Sequence, residues 1–331
     1  MPIFEDKAAE EFDNSLKLTA PLATIMILQG DLLPNKDEAN VIRTEHKLHQ
    51  TNLLKHKADL TEQKLPDKTR KAVQQAKEKG ASNWLSVLPL QEQGFTLNKG
   101  EFRDAVALRY NHDIRGLPSK CPCGQKFDQN HALNCKRGGF VIIRHNNIRD
   151  FNANLLRQVC NDVEVEPALQ PVDGEQVRGL AGDEVRADIR ARGLWRKGQN
   201  AFFDVRLTNC NSTSQTHLST DKIYAKHESE KKRMYNDRIM NIEHGTFTPL
   251  VYSLNGGAGP ECAKFHQHVA EQIATKSGER YEKVLTWIRC KLSFIILRAC
   301  LMCIRGSRAH NCNDSAVVED YSLACDNAGL R

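Results

Sequence analysis

Arg186-Ala-Asp-Ile-Arg-Ala-Arg192 and Ala201-Phe-Phe-Asp-Val-Arg-Leu207 alternate apolar and polar residues, within longer period-two runs at Val185 to Arg192 and Ala201 to Thr208. Alternation at that period specifies strands, and the short turn Gly193 to Asn200 makes them a hairpin. If the turn is symmetric about Arg196, residues whose numbers sum to 392 oppose each other. Ala187 then faces Val205, Ile189 faces Phe203 and Ala191 faces Ala201, an apolar set that a one-residue slip would turn outward. The other face sets Asp188 against Asp204 at a Cβ separation of roughly 5 Å, where two carboxylates repel unless a cation or proton lies between them. Two readings fit: a Mg²⁺ site with oxygen ligands, or a solvated ladder in which Arg190 and Arg206 pair diagonally with the aspartates.

The elements around the hairpin follow from the change of period. Ile148, Phe151, Leu155, Leu156 and Val159 form a helical stripe, and Val163 to Pro167 reads as a short strand. Ser219, Thr220 and Asp221 offer N-caps for a helix to about Met240, and Phe247 to Ser253 reads as a strand ending at Asn-Gly-Gly. The expected order is α-β-β-β-α-β, an α+β domain over residues 141–305 closed by helices at about 261–275 and 281–305. Upstream, residues 1–83 read as a helical connector or docking region, with few apolar residues among Lys, Glu and Gln between Lys36 and Lys79. Residues 84–140 form a second segment, in which Phe102, Val106 and Tyr110 predict an amphipathic helix, and residues 306–331 read as a disordered tail.

That second segment contains Cys121-x-Cys123-x7-His131-x3-Cys135. Four soft or borderline ligands suit structural zinc: His131 and Cys135 stand one helical turn apart, and Pro122 and Gly124 shape a turn for the thiolates. The alternative is buried thiols near an unrelated histidine. On the helix after the hairpin, Tyr224, His227, Lys231 and Tyr235 form one stripe of polar and aromatic groups; a lysine on a face turned toward the sheet could orient or deprotonate a water beside a metal, while its default reading is a solvated surface charge.

Composition narrows the classes. Apolar residues reach 40% and charged residues 27%, and no apolar run approaches the roughly 18 residues of a membrane span. The opening Met1-Pro2-Ile3-Phe4-Glu5-Asp6 lacks a basic or apolar leader, so the 11 cysteines are expected as thiols of a reducing compartment. A net charge of +6 permits a polyanionic partner without demanding one.

In order along the chain, the Phe102-Arg-Asp-Ala-Val-Ala-Leu-Arg helix, Leu117-Pro118, the Cys/His cluster, Arg144-His145, Arg186-Ala-Asp188, Asp204-Val-Arg and His227-Glu-Ser-Glu-Lys231 resemble the C-terminal region of site-specific non-LTR retrotransposon proteins. The match spans about residues 84–255. That resemblance implies a zinc module and a restriction-enzyme-like core of the PD-(D/E)xK class, hence a DNA endonuclease using Mg²⁺ or Mn²⁺, located in the nucleus. It places Asp188 and Asp204 as the acidic pair, the Val205 carbonyl as a further ligand and Lys231 as the helix lysine. Ala187 stands where the family has proline, and Arg206 stands where it has a strand lysine. A guanidinium is no base, which leaves that work to Lys231. No Tyr-x-Asp-Asp polymerase signature occurs, so the chain reads as the terminal piece of such an element or a gene derived from one. Lys136, Arg137 and Arg144 beside the cluster, with Lys226, Lys232 and Arg233 on the helix, are the expected contacts to DNA, with RNA as a further candidate partner. Two other classes stay open: a nucleic-acid-binding protein of the same origin that has lost cleavage, and an assembly module whose N-terminal helices dock on a partner.

Overall fold

The computed structural model describes residues 36–170 and 186–308, in two units that divide between Leu65 and Pro66. Val185 and the expected tail beyond residue 308 lie outside the described residues. In the first unit, helix α1 (Lys36–Gln63) exposes Val41, Leu48, Leu53, Leu54 and Leu60, which are too scattered to form one buried face.

The second unit runs α2 (Asp67–Lys77), α3 (Asn83–Ser86), α4 (Lys99–Arg109), α5 (Gln129–Asn134), α6 (Phe140–Val159), β1 (Val163–Val165), β2 (Ile189–Arg192), β3 (Asn200–Thr208), α7 (Thr220–Asn241), β4 (Thr246–Ser253), α8 (Pro260–Ser277) and α9 (Tyr281–Arg305). From α6 to β4 the order is α-β-β-β-α-β. The class is mixed α/β, with one sheet in the order β1-β2-β3-β4. The first three strands are antiparallel, and α7 carries the chain across so that β4 lies parallel to β3.

The hairpin register follows the apolar pattern. Ile189 pairs with Phe203 and Ala191 with Ala201, and these four side chains, with Val205, are buried in the main core with residues of α6, α8 and α9. The ladder breaks at Asp188, whose N–H donates to the Phe203 carbonyl at 3.0 Å instead of to residue 204. A break of this kind re-aims side chains. Ala187 accordingly does not face Val205: it joins Leu169, Phe202, Tyr235, Ile239 and Phe247 in a second cluster under α7. Nor is the second face of the hairpin solvated, because α7 covers it and buries Phe202 and Asp204. Arg190 turns to β1, meeting Glu164 at 2.9 Å and Asp162 at 3.6 Å, while Arg206 is exposed.

Among the helices, α6 buries Ile148, Leu155 and Leu156 as its stripe requires, and α9 is largely buried toward its C-terminal end, from Leu292 to Ile304. Between β4, α6 and α8, the buried Tyr252 hydroxyl lies 3.1 Å from Asn152 Oδ1 and 3.2 Å from His266 Nε2. Helix α4 departs from the expected stripe: Phe102 is 48% exposed, and the buried residues are Asp104 and Ala105. The Arg305 guanidinium on α9 holds Asp104 through bonds of 2.6 and 3.0 Å, so a charged pair sets the orientation of this helix. Among the described residues, no helix is long and apolar enough to cross a membrane.

Candidate active site and metal cluster

The break at Asp188 builds the first site. Asp188 Oδ2 accepts the Val205 N–H at 2.6 Å, so a side-chain carboxylate stands where a strand neighbour would offer a carbonyl. Asp188 is thereby fixed one residue along β3 from Asp204. Asp204 is 4% exposed, and burial first, then the Asp188 charge, raises its pKa; Lys231 and Tyr235 oppose the shift. Lys231 Nζ lies 2.8 Å from Asp204 Oδ2. That oxygen is buried, and this ion pair is the contact it makes.

Helix α7 delivers Lys231 because its inward stripe is the one the sequence marks: Tyr224, His227 and Tyr235 are buried and Lys231 is half-buried. Tyr235 donates to the Arg186 carbonyl at 3.3 Å, and its ring lies 5.6 Å from Lys231 Nζ. His227 is structural. Its Nε2 meets Thr208 Oγ1 at 3.1 Å and Gln215 Nε2 at 3.0 Å, and burial, followed by the Arg206 charge, lowers its pKa.

One participant was not singled out for this site from sequence. His145 on α6 places Nε2 3.1 Å from Asp188 Oδ2 and 3.2 Å from the Val205 carbonyl oxygen. Burial alone lowers the imidazole pKa, but the Asp188 bond and charge more than offset it and raise the pKa overall. Periodicity contains the signal: residues 144 and 145 precede Ile148 by four and three positions, which continues the inward stripe of α6.

The second site is local. Sγ of Cys121, Cys123 and Cys135 and a ring nitrogen of His131 all lie within 4.8 Å of one another. Cys121 and Cys135 sulfurs are 3.8 Å apart, the edge expected of a tetrahedron with Zn–S bonds of about 2.3 Å, and the group can hold zinc. Gly124 makes the turn: at φ 90° it donates its N–H to the Cys121 carbonyl. Asp128 caps α5 by accepting the His131 N–H at 2.8 Å, which sets the histidine on the first turn. Arg308 lies over the Phe127 and Phe140 rings and donates to the Ala132 carbonyl at 3.0 Å, tying this module to the end of α9.

The expected DNA-binding residues divide by exposure. Lys136, Arg137, Lys226 and Arg233 are exposed, and Lys232 pairs with Glu261 at 2.9 Å. Arg144 is 4% exposed with its guanidinium 3.6 Å from Cys303 Sγ, inside the core and beyond reach of a phosphate. A scan against models of known protein families finds no match for this chain, and a search of curated protein sequences finds none either.

Proposed function

We propose that the chain is a metal-dependent DNA endonuclease of the restriction-enzyme-like class, with Asp188, Asp204 and Lys231 at its centre. The observation that carries this reading is a pair of aspartates, at the start of the hairpin and on β3, close enough for the charge of Asp188 to raise the pKa of Asp204, with Lys231 2.8 Å from Asp204 and the Val205 N–H on Asp188. The donor chemistry fits a hard divalent cation: Asp188, Asp204 and the Val205 carbonyl would hold Mg²⁺ or Mn²⁺, and Asp204 Oδ2 is a buried oxygen with the Lys231 ion pair beside it. When bound, such an ion lowers the pKa of water and offsets the charge that develops on a phosphodiester.

The chain's own groups do the rest. The Val205 N–H fixes the Asp188 carboxylate. Lys231, paired with Asp204 at 2.8 Å, would use its ammonium to meet the growing negative charge or to exchange a proton with water. Lys136 and Arg137 beside the Cys/His cluster, and Lys226 and Arg233 on α7, are exposed and would meet backbone phosphates, Lys226 by leaving its weak 4.0 Å pair with Glu230, so affinity should fall steeply with salt. In this reading zinc at the cluster is structural, since four protein ligands leave no open position.

The test separates binding from cleavage. Supercoiled plasmid is incubated with zinc-loaded protein and Mg²⁺ or Mn²⁺, using wild type, Asp188→Ala and Lys231→Ala. Nicking by wild type, lost in both variants while they still retard DNA in a gel, supports the proposal. DNA binding without nicking by wild type would instead favour the inactive, nucleic-acid-binding reading.

A further inference from the structure

Three electron-rich atoms from three elements meet beside β3. His145 Nε2 is 3.1 Å from Asp188 Oδ2 and 3.2 Å from the Val205 carbonyl oxygen, and His145 Nδ1 is 3.4 Å from Asn146 Oδ1. Asp188 Oδ2 already has the Val205 N–H, so it does not need the histidine as a donor. Neighbouring ligands of an octahedral ion with bonds of about 2.1 Å are about 3 Å apart, close to the two spacings from Nε2. Asn146 supplies an acceptor for the proton on Nδ1, the kind of partner that fixes the tautomer of a metal-binding imidazole and leaves Nε2 available.

Resting on the metal centre proposed above, we infer that His145 Nε2 is a nitrogen ligand of that ion, beside Asp188 and the Val205 carbonyl, and that this mixed donor set favours Mn²⁺ over Mg²⁺. Mg²⁺ is held by oxygen and gives up its waters reluctantly, whereas imidazole suits the transition ions. Without metal, a proton on Nε2 bridges the same two oxygens, and the ion takes the proton's place.

Mn²⁺ is its own probe. Zinc-loaded full-length protein, in which the cluster keeps His131 engaged, is titrated with Mn²⁺ and examined by pulsed electron paramagnetic resonance for a directly bonded ¹⁴N. The comparison variant is His145→Gln, which still offers an N–H to both oxygens but no imidazole nitrogen, and zinc content and circular dichroism confirm its fold. Wild type should show imidazole coupling, and His145→Gln should lose it, with Mn²⁺ affinity falling about tenfold or more and Mg²⁺ affinity changing less. Mn²⁺ bound in a carboxylate-dependent way without nitrogen coupling, or with equal affinity in His145→Gln, would overturn the ligand assignment and leave the metal centre standing. Absence of Mn²⁺ binding, or binding that survives Asp188→Asn combined with Asp204→Asn, would overturn the metal centre and this inference together.

Discussion

The two candidate sites are assembled in opposite ways. The Cys/His cluster draws every ligand from one short loop-and-helix stretch, Cys121 to Cys135, whose turn and cap are set by Gly124 and Asp128. The carboxylate centre draws His145 from α6, Asp188 from the start of the hairpin, Asp204 and Val205 from β3 and Lys231 from α7. A local site stabilises its own neighbourhood when it binds a metal, whereas a dispersed site of buried like charges depends on the surrounding fold and strains it. The proposed catalytic centre therefore sits where the chain is least at ease, and the candidate zinc cluster where it is most self-sufficient.

The largest effects that would sharpen this contrast are on cleavage. Asp204→Ala is expected to abolish metal-dependent nicking, and Lys231→Ala to reduce it by roughly 10²–10⁴-fold, the range for a positioned proton-transfer group, with circular dichroism unchanged in both. Nicking by Lys231→Ala at the wild-type rate would move the role to another residue. At the cluster, Cys123→Ser with Cys135→Ser should remove zinc and loosen the region around Phe127, Ala132 and Leu133. Zinc in small sites is worth roughly 10–16 kcal/mol, and hydrogen exchange should show the loss there while β2, β3 and β4 stay protected. Equal exposure of the sheet would mean that the module is not a separate source of stability.

Smaller effects concern acidity. Burial holds the Glu78 pKa up to about 7, and its Oε2 lies 2.5 Å from the Tyr224 hydroxyl. The folded chain thus keeps a proton there that the unfolded chain loses near 4.5, so this group's contribution to stability declines from about pH 4.5 to about 7. His266, whose pKa burial lowers to about 3, acts in the opposite direction from pH 6.5 downward, and the informative quantity is the difference between variants. Melting temperatures of wild type and Glu78→Gln should differ little at pH 4.5, with the variant gaining relative to wild type as pH rises to 7. The smallest expected change is at Asp204, whose pKa is also raised. Metal-free Asp204→Asn should melt above wild type at neutral pH and lose that advantage as pH falls through the carboxylate range, because the wild-type penalty exists only when the aspartate is ionised. A less stable Asp204→Asn protein at neutral pH would show that the Lys231 ion pair outweighs the buried charge.

Legibility in the sequence followed locality. The cluster could be read because its ligands and turn residues are neighbours, and the hairpin register because apolar alternation tolerates no slip at Ile189 and Ala191. The break at Asp188 could not be read from alternation, since it depends on a side-chain acceptor for the Val205 N–H, and Ala187 turned with it into the cluster under α7. Arg144 resembled a surface cation in composition, yet its place four residues before Ile148 puts it on the buried stripe. Phe102 had the right spacing for a core position, but the Arg305–Asp104 pair turns α4 the other way. In these cases a long-range polar contact overrode a local pattern, or a local pattern was read from residue type instead of position.

Hydrolysis of phosphodiesters by the carboxylate centre with a divalent cation would show as plasmid nicking that depends on added Mg²⁺ or Mn²⁺, measured with chelator-treated protein reloaded with zinc alone. Zinc alone should give no nicking, either divalent ion should give saturable nicking as it is added, and Asp188→Ala or Asp204→Ala should give none at any concentration. Nicking that needs no added divalent ion, or that persists in both aspartate variants, would contradict this role of the carboxylate centre.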